Sequence, residues 1–157
     1  MTGRLGWAVL AAVLVSACGG EETKGGTSET CGAEDGSDVC EVFGIVNEER
    51  AGMDLPAYAW NAELAQAAQL HAEDMVDQGY FDHTSLDGRD FSARAKDAGY
   101  DAFPSGENIA QGQKTPAQVM DSWMGSSGHR ANILSADHSE IGVGLDGVTW
   151  VQVFGQR

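Results

Sequence analysis

The sequence predicts an α+β domain, on three observations. Through the first two thirds of the chain, apolar residues recur at helical spacing in segments bounded by cap residues. Near the C-terminal end, two runs rich in β-branched and aromatic residues flank an Asp-Gly pair, the pattern of a β-hairpin. The length of 157 residues is enough for one domain with a real core and too short for two comfortable ones.

Residues 1–17 read as an export signal, with Arg4 ahead of an apolar run from Leu5 to Val15 that is too short to span a bilayer well. The run ends in Val15-Ser16-Ala17-Cys18, which resembles a bacterial lipoprotein signal. On that reading Cys18 is lipidated and becomes the first mature residue. The expected address is then the cell envelope, with the protein exported and anchored to a membrane at Cys18, on a periplasmic or extracellular face. Residues 18–37 are rich in Gly, Glu, Thr, Ser and Asp and read as a flexible acidic tether, with a reach of roughly 25 Å. Residues 38–157 form the expected domain. Export places Cys31 and Cys40 in an oxidising space, so a bridge between them is expected, worth about 2–3 kcal/mol at most for so short a loop. The net charge of −15 repels phosphate backbones, which excludes nucleic acid as a partner and favours solubility.

The first helix is expected from Asp38, as N-cap, to Ala51, with Val39, Val42, Phe43, Val46 and Arg50 on one stripe and Gly52 at its end. Leu55-Pro56 then forces an extended or turning segment through Ala57-Tyr58-Ala59. Asn61 caps the second helix, which carries Leu64, Ala68, His71, Ala72 and Met75 down one face and stops at Gly79. His71 on that apolar stripe reads as a hydrogen-bonded packing residue and not as a ligand. A turn-rich segment follows from Tyr80 to Ser85. A helix over about 91–98 then points Phe91, Arg94 and Ala95 inward and closes at Gly99. Ser105 to Gln111 reads as short and extended. Thr115 caps a helix with Pro116 in its first turn and Val119, Met120 and Trp123 behind it. Ser127 is placed to cap a short helix at 128–134.

The strands are expected at Ile141–Leu145 and Val148–Phe154, joined by a turn at Asp146-Gly147. Gly142 to Gly147 matches a dinucleotide-binding pattern by letters alone. A strand follows it, so no helix N-terminus is there to hold a pyrophosphate.

The chain has no His-Glu-x-x-His, no P-loop and no Gly-x-Ser-x-Gly elbow. His83, Glu107 and His129 remain, each at a loop or an element junction. Two imidazoles and one carboxylate make a complete protein shell for a Zn²⁺ or another divalent metal, with a fourth position for water. The same set serves general acid–base chemistry without metal.

From about Val39 to Phe154 the chain resembles the CAP superfamily of cysteine-rich secretory proteins, antigen 5 and pathogenesis-related class 1 proteins, in its bacterial branch. The matching marks are Phe81-Asp82-His83, Gly106-Glu107-Asn108-Ile109, Trp123 before Gly128-His129, Arg130 to Leu134, and Glu140-Ile-Gly-Val-Gly144. The resemblance implies an α-β-α sandwich with a small, mostly antiparallel central sheet and a cleft. It also implies that His83, Glu107 and His129 are three members of a His-Glu-Glu-His set. Ser126 stands where the eukaryotic branch has the second glutamate, and Asn132 where it has a glutamine. A mechanism that needs two carboxylates is compromised by that exchange; a metal site on two histidines is less affected.

The ligand-facing candidates are therefore His83, Glu107, His129, Asn108 and Ser126, although Asn108 also fits a turn cap and Arg130 a surface ion pair. The leading expectation is a lipid-anchored binding module whose cleft takes a divalent metal or a small, lipid-like ligand. The alternatives are an envelope hydrolase of the peptidase kind using the same cleft, and a non-catalytic display domain.

Overall fold

The computed structural model describes residues 30–33 and 37–157. The signal at 1–17, the lipidation site Cys18 and most of the tether lie outside the described residues. Among the described residues, five helices and four strands follow in chain order: α1 Asp38–Ala51, β1 Ala59–Trp60, α2 Ala62–Gln78, α3 Phe91–Asp97, β2 Phe103–Gln111, α4 Pro116–Gly125, α5 Ser127–Ile133, β3 Glu140–Asp146 and β4 Thr149–Gln156.

The strands form one sheet in the order β1-β3-β4-β2. Only β1–β3 is parallel; β3–β4 and β4–β2 are antiparallel. Strand alternation sends neighbouring residues to opposite faces. Ala110, Ile141, Val143, Trp150 and Phe154 pack with Val42, Phe43, Val119, Trp123 and Ile133 from α1, α4 and α5. Ile109, Val151 and Val153 pack on the other face with Leu64, Ala68, Ala95 and Tyr100, from α2 and the α3 region. The result is the α-β-α sandwich expected from the resemblance.

The glycines of β3 set the spacing of one layer. A Cβ added at Gly142 would lie 2.0 Å from the Ala65 nitrogen, and one at Gly144 would lie 2.3 Å from the Gln69 nitrogen. Helix α2 therefore rests its backbone directly on β3, and that contact is what the Gly-Val-Gly letters encode.

Local signals account for most element ends. The Asn61 side chain accepts from the Leu64 N–H at 2.9 Å, a cap worth about 1 kcal/mol. Gly79 ends α2 in the left-handed region at φ 68°. Several boundaries differ from expectation. Ser37, not Asp38, is the N-cap of α1, and it makes no side-chain cap bond. Helix α5 begins at Ser127 with Ser126 as N-cap, so Ser127 lies inside the helix. Asp146 pairs with Thr149, which leaves Gly147 and Val148 as the hairpin loop, with Gly147 at φ 57°. The extended segment at 105–111 is longer than expected, a nine-residue strand whose register shifts between Pro104 and Gly106.

Cys31 and Cys40 are joined by a disulfide. It ties the chain ahead of the domain to the first turns of α1. Among the described residues, no helix is long and apolar enough to cross a membrane.

Candidate functional site

Strand β2, the loop that follows α2 and helix α5 build the site. Glu107 and Asn108 are adjacent in β2, so their side chains leave the sheet on opposite faces. Glu107 faces the α2/α3 layer, and its carboxylate is only 1% exposed. Its Oε1 accepts from His83 Nδ1 at 2.8 Å, and its Oε2 accepts from Arg94 Nη2 at 2.6 Å. Arg94 also donates to the His83 carbonyl at 3.0 Å, the Arg89 carbonyl at 2.9 Å and the Ser85 hydroxyl at 3.1 Å. One buried guanidinium thus holds the carboxylate and clamps the loop that carries His83.

Asn108 lies on the other face and is fully buried. Its amide donates to the His129 carbonyl at 3.1 Å and to Gln152 Oε1 at 3.0 Å, while its Oδ1 accepts from Asn132 at 2.9 Å. Asn132 also donates to the Glu107 carbonyl at 3.2 Å. This network pins α5, and with it His129, against β2. Asn108 is therefore not the turn cap read from sequence, and its side chain is taken up by the scaffold behind the cleft. Asn132 fills the glutamine position of the eukaryotic pattern as part of the same network.

The two imidazoles differ electrostatically. The hydrogen bond to Glu107 raises the His83 pKa, outweighing partial burial. Burial lowers that of His129, and the nearby charge of His83 lowers it further. His83 is the more open of the pair, with its side chain 54% exposed. Because Glu107 occupies Nδ1, His83 keeps Nε2 clear of that bond, the arrangement in which a carboxylate fixes the tautomer of a metal-binding histidine.

The fit to a divalent metal is therefore that of two histidines, not of the full expected set. Both oxygens of Glu107 are engaged, so it supports His83 instead of standing open as a ligand. Among the described residues no three His, Cys, Asp or Glu side chains converge as a ready ligand group. Ser126 is half-buried between α4 and α5, its N–H bonded to the Trp123 carbonyl and its side chain making no cap bond. Arg130 donates to the Met124 carbonyl at 3.1 Å instead of to a surface acid.

The cysteine-rich secretory protein family model, CAP, matches residues 43–154. The chain belongs to this family. The CAP domain here is 39% identical over 115 residues to the uncharacterized protein YkwD of Bacillus subtilis (strain 168), covering 72% of this chain and 45% of that protein. It superposes with a TM-score of 0.74 and 29% identity on an extracellular SCP-domain protein from Bacillus anthracis str. Ames, covering 76% of this chain and 40% of that one. An outer surface protein from Borrelia burgdorferi shares the fold, with a TM-score of 0.70 and 21% identity, over 80% of this chain and 96% of that one. The chain thus spans less than half the length of the two Bacillus proteins.

One residue of the site, Arg94, is not legible as a site residue in the sequence. Arg94 shows there only as an inward residue of α3; nothing local ties it to Glu107. His138 carries no sequence signal at all. It is mostly buried, bonded through Nδ1 to the Ser105 hydroxyl at 2.7 Å and stacked on Phe154 at 5.3 Å. His71 is fully buried with Nε2 on the Asp82 carbonyl at 3.0 Å, the packing role read from its stripe.

Proposed function

We propose that this CAP domain is an exported binding module whose cleft takes a divalent cation, Zn²⁺ in the first instance, on His83 and His129. The observation that carries the reading is the 2.8 Å bond from His83 to a buried Glu107 that Arg94 holds in turn. A buried carboxylate that orients an exposed imidazole is the support a metal-binding histidine needs. His129 adds a second imidazole that its surroundings keep neutral, the form that ligates. Water or a ligand group would complete the coordination, and the bound ion would supply Lewis-acid attraction for an oxygen-bearing ligand.

Export and anchoring at Cys18 belong to the same proposal. They rest on the lipoprotein-like start and on the extracellular character of the Bacillus anthracis relative. The test of the metal site is NMR of the imidazole nitrogens with zinc added. The His83 and His129 signals should move together at equal stoichiometry, while those of His71 and His138 stay. Movement of His71 or His138 alone would place the metal elsewhere.

A second reading has one observation behind it. The Glu107–His83 pair is also an oriented general base, with the raised pKa such a group uses. A hydrolase acting on peptide or cell-wall material would lose activity in Glu107→Gln; activity that survives that change would remove the pair from the chemistry.

A further inference from the structure

Ahead of α1, residues 30–33 lie against the domain beside strand β1. Gly32 meets the edge of the Trp60 indole: a Cβ added at Gly32 would lie 3.1 Å from Trp60 Nε1 and 3.3 Å from Cδ1. Trp60 is 4% exposed, and its ring packs edge-on against Phe43 of α1 at 5.4 Å. A groove of about 270 Å³ runs alongside, lined by Gly32 and Ala33 together with Val39, Trp60, Ala65 and Val143. The segment thus covers an apolar edge of the domain, where β1 stops after two residues and β3 runs on.

Little besides the disulfide holds the segment there. Among the described residues, Cys31, Gly32 and Ala33 make no hydrogen bond to the domain. Gly32 and Ala33 carry little apolar surface to bury, and Cys31 is the one of the three that packs on the core cluster. The Cys31–Cys40 bond supplies the anchor that these contacts lack. A segment with few apolar contacts and no backbone bonds opens at low free energy once its tie is cut. Both cysteines are half-buried, so the bridge lies within reach of a reductant at the surface.

We propose that residues 30–33 form a redox-gated strap. With the bridge intact, the strap shields Trp60 and the groove; on reduction it swings away while the domain stays folded. The reductant is a dithiol. One of its thiolates attacks a bridge sulfur and breaks the S–S bond, and its second thiol resolves the mixed disulfide. Its two electrons and two protons end on the Cys31 and Cys40 thiols, and it leaves as a disulfide. The strap is separate from the His83–His129 cleft, and no step of the proposed function uses it.

The test is ¹⁵N NMR of the 157-residue chain in three states: oxidised, reduced with dithiothreitol, and as Cys31→Ser/Cys40→Ser. In the last two, the amides of residues 31–33 should move to random-coil shifts. The Trp60 Nε1–H signal should shift, and its hydrogen exchange should speed up at least about tenfold. The Trp123 and Trp150 indoles, both buried, and the amides of α2 and β4 should stay in place. Unmoved strap amides or an unmoved Trp60 indole in the reduced chain would overturn the proposal, since the strap would then be held without the bridge. General loss of the α2 and β4 signals would overturn it too, because the bridge would then hold the whole domain and not a strap.

Discussion

Arg94 and His83 meet through opposite oxygens of one carboxylate, that of Glu107, at 2.6 Å and 2.8 Å. Arg94 also donates to the backbone carbonyl of His83 at 3.0 Å, so it fixes both ends of the histidine. The pair Arg94–Glu107 is buried, and removing one partner of a buried ion pair leaves the other charge stranded. Arg94→Ala should therefore cost about 3–5 kcal/mol in urea denaturation. A loss under about 1 kcal/mol would mean that the pair is hydrated in solution.

The α2–β3 contact makes a steric prediction. Gly142→Ala and Gly144→Ala drive a methyl group into the α2 backbone, which cannot move without shifting the whole layer. Each should cost at least about 3 kcal/mol, at or beyond the upper range for overpacked cores. Gly125→Ala, at a helical position with nothing within 4 Å of the new Cβ, should be neutral or stabilising by up to about 1 kcal/mol. Thermal unfolding of the three variants side by side checks this.

Acid should destabilise the domain partly through His138. Its folded-state pKa is lowered, chiefly by burial beside Tyr58, Phe154 and Ser105. The neutral form is therefore favoured in the native state. Its contribution is fully present above the unfolded value of about 6.5 and is lost as pH falls from there toward the lowered folded value. His138→Phe, which keeps the stack, should flatten that part of the stability–pH curve. Parallel curves for the wild type and the variant would remove His138 from the acid response.

Reduction of the Cys31–Cys40 bridge should cost about 2–3 kcal/mol, since the loop it closes is short. Chemical denaturation of Cys31→Ser/Cys40→Ser measures this, and the native α2 and sheet signals should survive the change.

What the sequence disclosed was what local chemistry encodes. Asn61, Gly79 and the Thr115-Pro116 pair announce helix ends within a few residues, and Thr149 to Phe154 has the side chains of a strand. The start of β2 was hidden because Pro104, Ser105 and Gly106 break the β pattern at the irregularity where the register shifts. That also concealed the alternation that separates Glu107 from Asn108. His83, Glu107 and His129 stand out from the residues themselves, the family resemblance joins them into one set, and Glu107 does engage His83. Arg94 and His138 depend on which elements pack across the sheet, and spacing along the chain carries no trace of that.

The central claim is that His83 and His129 share one metal ion. Isothermal calorimetry of zinc into the wild-type chain and into His83→Ala/His129→Ala tests it most directly. The account predicts a one-site isotherm for the wild type that disappears in the double variant, and a site weaker by roughly 10- to 100-fold in Glu107→Gln. Unchanged zinc affinity in the double variant would contradict it.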